Sequence, residues 1–224
     1  DSADAVANPL VGQPGGDCTG ATFVEGKKGK AMYVQVDQLA ATMPLPNGLP
    51  VESGCIEYWA KIDTTKTTFI TSGNPAFFRI ANATNSYPSV IVEFNSNDGA
   101  GNGGLIGLLP TFRLAPYSYR DAEARSYSSF FPEGTQTNWH HYALVWNTNG
   151  ISTVVGNPAA ALLLDGKVVC KMSKPSDWDE AKFVNAMSKA TVIQMPETRT
   201  SMYSRVPYAI DEFRIWDTDV TNGY

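Results

Sequence analysis

The sequence predicts an all-β domain, a sandwich or a barrel, on three observations. Short runs rich in β-branched and aromatic residues recur along the 224 residues, bounded by Gly, Pro, Asn and Asp. In one of them Ile56, Tyr58, Ala60 and Ile62 fall on one face and Glu57, Trp59 and Lys61 on the other, the period of a half-solvated strand. Asp165-Gly166 parts Leu162–Leu164 from Lys167–Val169, the strongest hairpin signal in the chain.

Taken in order, the expected strands are Lys30–Val36, Gly54–Ile62, Thr67–Ser72, Phe77–Ala81, Val90–Phe94, Trp139–Trp146, Ala160–Leu164, Lys167–Lys171, Thr191–Met195 and Tyr208–Trp216. Only Trp178–Met187 suits a helix, with Ser176 or Asp177 as its cap. Residues 1–20 are small, polar and rich in Gly and Pro, and are expected to be a loosely attached lead-in to one domain over 21–224. No repeat of 20–50 residues recurs, which argues against a propeller or solenoid. The stretch from Asn95 to Asn138 is the longest without a strand signal, Gly-rich at first and then rich in Tyr, Ser and Arg. A loop of that length in a compact domain is a natural place for a binding surface.

Composition narrows the function classes. Hydrophobic residues are 43% of the chain and charged residues 17%, enough for a packed core and too few charges for a disordered chain. The net charge of −5, with no basic stripe to follow a phosphate backbone, argues against nucleic acid. No apolar run approaches the roughly 18 residues of a spanning helix, so no membrane insertion is expected. The opening Asp1-Ser-Ala-Asp4 reads as a trimmed start, and the chain ends soon after its last strand, as an excised domain would. Cys18, Cys55 and Cys170 permit at most one bridge; Cys55 opens a strand and Cys170 closes one, so any disulfide is expected between those two.

Three segments carry a family resemblance. They are Gly26–Ala31 leading through Ser53–Lys61, Trp139–Trp146 followed by Leu162–Val169, and Ala209–Trp216. In this order and spacing, across about 190 residues, they resemble the bacterial laminin-G-like and pentraxin-like domains of the concanavalin A-like lectin/glucanase superfamily. The resemblance implies two antiparallel sheets in a jelly-roll sandwich, and it implies secretion or a cell-surface place. It does not fix a function, because that fold hosts lectins, glycanases, lyases and adhesion modules.

Catalysis finds little support. Retaining glycanases of the superfamily carry a Glu-x-Asp-x-x-Glu strand, whereas Ile210-Asp211-Glu212 lacks the first carboxylate and has Ile215 at the last place. Asp211 and Glu212 are adjacent and are expected on opposite faces, a side chain there bonding a neighbouring turn. The chain's two histidines, His140 and His141, are likewise expected to point apart, one packed and one at the surface.

Resemblance to pentraxins implies a calcium site at Asn74, Gln194 and Glu197, a set that departs from the pentraxin pattern in carrying one formal charge. Asn95, Asn97 and Asp98 make a second oxygen-rich turn. Sugar binding needs an aromatic face beside hydroxyl acceptors. Trp178 between Asp177 and Asp179 is the expected ligand platform, with Tyr117, Tyr119 and Tyr127 of the long loop as further contacts. Trp59, Trp139, Trp146 and Trp216 fall in strands, where core packing is expected. The expected function is a non-catalytic extracellular module binding a glycan or polysaccharide. A glycan-active enzyme and a ligand-free spacer are the alternatives.

Overall fold

The computed structural model describes residues 15–35, 40–63, 76–81, 88–95, 109–114, 122–123, 137–196 and 207–219. Its strands are β1 (Thr22–Glu25), β2 (Lys30–Val34), β3 (Ala41–Pro44), β4 (Ser53–Ile62), β5 (Ala76–Ala81), β6 (Pro88–Asn95), β7 (Leu109–Leu114), β8 (Ala122–Glu123), β9 (His140–Asn147), β10 (Ala160–Leu164), β11 (Lys167–Met172), β12 (Val192–Met195) and β13 (Tyr208–Trp216). The helix α1 (Glu180–Ser188) precedes β12. Eight strands form one sheet in the order β1-β2-β13-β4-β9-β10-β11-β8, and five form the other in the order β3-β12-β5-β6-β7. The chain switches sheets repeatedly, and its strand pairs are antiparallel, as expected of a two-sheet sandwich.

Alternation explains the core. On β4 the side chains of Ile56, Tyr58, Ala60 and Ile62 enter the space between the sheets and join Tyr142, Leu144 and Trp146 of β9. Tyr58 stacks on Tyr142 with ring centroids 5.2 Å apart and meets Phe77 and Phe78 edge-on at 5.6 and 5.3 Å. The Tyr208 hydroxyl donates to the Phe77 carbonyl. Burial pushes the Tyr58, Tyr142 and Tyr208 phenols well above their ordinary range. Trp146 donates its Nε1–H to the Pro50 carbonyl at 3.1 Å. Gly54 lies so close beneath that ring that a Cβ there would sit 2.2 Å from Trp146 Cζ2. Each such fully buried large side chain contributes about 1.5–3 kcal/mol.

The hairpin over Asp165-Gly166 forms as expected, with φ of 48° and 75°, the two positive values of a type I′ turn. The Asp165 carboxylate accepts from His140 Nδ1–H at 2.6 Å and from the His141 backbone N–H at 2.9 Å.

Several expectations are corrected. Residues 95–138 supply β7 and β8 rather than an unbroken loop, and β1 and β3 also carried no sequence signal strong enough to place them. The expected strand Thr67–Ser72 lies outside the described residues. The helix begins at Glu180 and its cap is Asp179, whose carboxylate accepts from Lys182 N–H at 3.0 Å, not Ser176 or Asp177. Residues 15–20 of the expected lead-in are described, and two of them are held to the sheets. Asp17 exchanges two backbone bonds with Thr42, at 2.7 and 2.8 Å, and Cys18 is buried in the main core.

A Cys55–Cys170 bridge is excluded by the sheet order. Strands β9 and β10 stand between their strands, three spacings or about 14 Å. The two side chains also join different apolar clusters, and all three cysteines are free thiols. Burial, with Glu57 and Asp219 nearby, pushes the Cys55 thiol up to about 12.

Candidate functional site

The solvent-side face of the eight-stranded sheet divides in two. Toward one end Cys55, Ala143, Val145, Ala161 and Leu163 form an apolar patch, and segment 148–158 folds back over it with Ile151 and Val154. That flap is fixed by its own backbone bonds, Ile151 N–H to Pro158 O at 2.8 Å and Val154 N–H to Ile151 O at 3.0 Å. Its Val155 turns outward and is 89% exposed.

The other part carries Glu57 and Trp59 of β4, His141 of β9, and Arg214 and Trp216 of β13. In register, Trp59 lies between Asp211 and His141, and Glu57 between Arg214 and Ala143. Glu57 is only 5% exposed, yet it is on the outer side of the sheet. Its Oε1 accepts the Trp216 Nε1–H at 2.9 Å and the Arg214 guanidinium at 3.4 Å. Its Oε2 lies 3.3 Å from His141 Nε2, the nitrogen that carries the proton if it donates there. Arg214 also pairs with Glu212, so one guanidinium joins two carboxylates. Burial holds the His141 imidazole below its ordinary pKa of 6.5, against the opposing pull of Glu57. Trp59 meets His141 with ring centroids 5.2 Å apart and holds the Lys27 ammonium 4.4 Å from its ring centre. Trp216 is 41% exposed.

A bulge in β13 makes this arrangement. Asp211 pairs with Trp59 and Arg214 with Glu57, so three steps on β13 match two on β4, and Glu212 takes a left-handed φ of 53°. Past the bulge Phe213 and Ile215 pack on the main core while Arg214 and Trp216 turn out. Asp211 and Glu212 therefore both serve the outer side, contrary to the opposite faces expected of neighbours. Asp211 is buried and accepts Lys28 N–H of the β1–β2 turn at 2.9 Å, the turn contact expected for this strand. His140 and His141 do part company, to Asp165 and to Glu57.

Core packing holds for Trp146 and fails for Trp216, which is on the surface, while Trp59 is half-buried on the outer side. Trp139 packs against a small outer cluster of Ala31, Tyr33 and Ala209. The signal for Trp59 was present, since it alternates with Glu57 and Lys61.

Trp178 lies at the lip ahead of α1. It is half-buried against the main core, 5.2 Å from the Phe183 ring, with the Lys174 ammonium 5.6 Å from its ring centre. Asp177 is exposed, and Asp179 is engaged by the helix N-terminus, where the Lys182 backbone bond holds its carboxyl below the usual range. Gln194 lies on β12 between Thr42 and Arg79. Tyr117, Tyr119, Tyr127, Asn74, Glu197, Asn97 and Asp98 lie outside the described residues, and Asn95 ends β6. Among the described residues no group of three or more His, Cys, Asp or Glu could hold a metal ion.

No protein-family model matches the chain, and no curated protein matches it. Solved structures do. One is domain 4 of AbnA, a GH43 extracellular arabinanase from Geobacillus stearothermophilus, in complex with arabinotriose. The TM-score is 0.52 at 19% identity, over 95% of this chain and 87% of that one. The likeness is one of fold, a two-sheet antiparallel β-sandwich. Trypanosoma rangeli sialidase, solved as a covalent intermediate with 2,3-difluorosialic acid, gives 0.52 at 10% identity over 92% of this chain. The botulinum neurotoxin serotype G binding domain gives 0.51 at 9% identity over 95%. This chain spans 27% of that sialidase and 45% of that toxin domain.

Proposed function

We propose that this chain is a non-catalytic, extracellular carbohydrate-binding or adhesion module of the laminin-G-like kind, part of a bacterial surface protein. Its ligand lies on the open outer face of the eight-stranded sheet. The observation that carries this reading is the pairing of Trp59 and Trp216 with Glu57, His141 and Arg214 on one solvent-side surface. Indole faces take the apolar side of a sugar ring, and the fixed polar groups between them take hydroxyls. The arabinanase domain of the same fold, solved with arabinotriose, supports a glycan as the ligand class.

Binding without cleavage is favoured by Arg214. A glycosidase needs two carboxyl groups about 5–9 Å apart, one of them free to deliver a proton. Here Glu57 and Glu212 are both tied to one guanidinium. Open sheet faces bury little area, so dissociation constants on the order of 0.1–1 mM are expected. The lip at Trp178, with exposed Asp177 beside it, is the second candidate surface.

A glycan array run with and without calcium tests the reading. Binding that Trp59→Ala or Trp216→Ala removes assigns the sheet face, and loss only in Trp178→Ala assigns the lip. Loss only on chelation would make binding calcium-dependent, with Asn74, Gln194 and Glu197 the candidate ligands to substitute next. Release of reducing ends from any bound polysaccharide would make the chain an enzyme.

A further inference from the structure

We infer that the glycan taken by the outer face is acidic, a sugar bearing a carboxylate that Lys27 and Lys61 receive at the Trp59 end. This rests on the reading of that face as the glycan site. Lys27 belongs to the turn between β1 and β2, and that turn is held rigidly. Gly26 N–H bonds Gly29 O at 2.9 Å, and Lys28 N–H bonds the buried Asp211 carboxylate. There is no room for a side chain at Gly26, where a Cβ would lie 2.6 Å from Asp211 Oδ2 and 2.8 Å from Ala31 N. The lysine stem therefore starts from a fixed point, and its exposed ammonium lies over the Trp59 ring at 4.4 Å.

That ammonium lies where a sugar would stack. A neutral ring that displaces it loses the cation–π contact and offers the freed charge only neutral hydroxyl acceptors. A ring carrying a carboxylate takes the indole face and accepts charge-assisted hydrogen bonds from the same ammonium. Lys61, the next outward residue on β4, is exposed and adds a second cation.

The neighbouring carboxylates are already engaged. Glu57 accepts from Trp216 and Arg214 and contacts His141, Asp211 holds the turn, Asp63 takes the Tyr33 hydroxyl at 2.7 Å, and Glu212 pairs with Arg214. Among the described residues neither Lys27 nor Lys61 has an ion-pair partner. The net charge of the chain is −5, so this cationic spot runs against the charge of the whole.

The test is calorimetric titration of the whole chain with matched polymers. These are polygalacturonate, its fully methyl-esterified form, dextran, dextran sulfate, and polyglutamate as an anion without sugar rings. Polygalacturonate is expected to bind about tenfold tighter than its ester, with a preference that shrinks as salt rises from about 50 to about 300 mM. Dextran sulfate binding as tightly as polygalacturonate would move the ligand class from carboxylated to sulfated sugars and overturn the carboxylate assignment. The Lys27→Gln, Lys61→Gln double variant is expected to lose the preference with its melting temperature unchanged. Equal binding of acid and ester would overturn the inference and leave the glycan-binding reading standing. Equal binding of polyglutamate, or a preference surviving in the double variant, would also overturn it. If no glycan binds here or on the array, both readings fall together.

Discussion

Cys55 and Trp59 lie four residues apart on the same face of β4, and they meet opposite fates. Around Cys55 the sheet face is apolar and the chain covers it with its own segment, burying Ile151 and Val154. Around Trp59 the face is left open, and its polar groups satisfy one another: Glu57 with Arg214, Trp216 and His141, and Arg214 with Glu212. The difference shows two ways to finish a sheet surface. Apolar groups need a cover, because exposure costs about 25 cal/mol per Å². Fixed polar groups with their partners in place need none, and leave indole rings available to a ligand.

The largest effect that could break this contrast is on the covered part. Ile151→Ala should cost about 2–5 kcal/mol, lowering the melting temperature by roughly 5–15 °C, with glycan affinity unchanged in the molecules that stay folded. Paired denaturation and titration curves check it. Loss of affinity at full stability would show that the flap is part of the ligand site.

Glu57→Leu should cost less, about 1–3 kcal/mol, because it strips the acceptor from Trp216 and the counter-charge from Arg214 while water can still reach the guanidinium. Chemical denaturation reads this directly. A neutral result would mean that the network does not hold the open face together.

A smaller effect follows from His141. Its pKa is lower in the folded chain than its ordinary 6.5, so below that value the unfolded chain binds more protons. Its stabilising contribution is therefore full above about pH 6.5 and is lost as pH falls through the folded-state value. Melting curves between pH 7.5 and 5 should show a drop that is shallower in His141→Gln. An equal drop in the variant would place the titrating group elsewhere.

The smallest stability effect is expected at Trp216→Ala, under about 1 kcal/mol, since the ring is far from buried. This variant should nevertheless lose glycan binding. A Trp216→Ala chain that unfolds would return the ring to the core and undo the contrast from the other side.

Much of the large sheet was legible in the sequence, because β4, β9, β10 and β13 carry strong β patterns and the Asp165-Gly166 turn fixes a register. What failed has physical causes. The edge strand β1 is four residues long and mostly exposed, so it shows no burial period. The flap buries Ile151 and Val154 without repeating structure, which leaves no pattern to find. Trp59 was readable from its own alternation, and the habit of placing tryptophan inside concealed it. Trp216 was not readable, because a strict two-residue period from Ile210 would put it inside. Asp179 was a sugar contact by composition, and its closeness to a helix start was the cue to a cap.

The bulge at Glu212 works as a change of reading frame within one strand. Upstream, Ile210 sets which residues face inward, and downstream the frame is reset by one, so that Phe213 and Ile215 are the inward set. Deleting Glu212 would give regular pairing and leave Arg214 and Trp216 outward with Phe213 and Ile215 inward. Pairing every residue of β13 without the bulge would instead send Arg214 and Trp216 toward the core and Phe213 outward. The open face thus depends on the backbone bulge that absorbs the extra residue, which places the left-handed conformation at Glu212 under tighter constraint than its side chain.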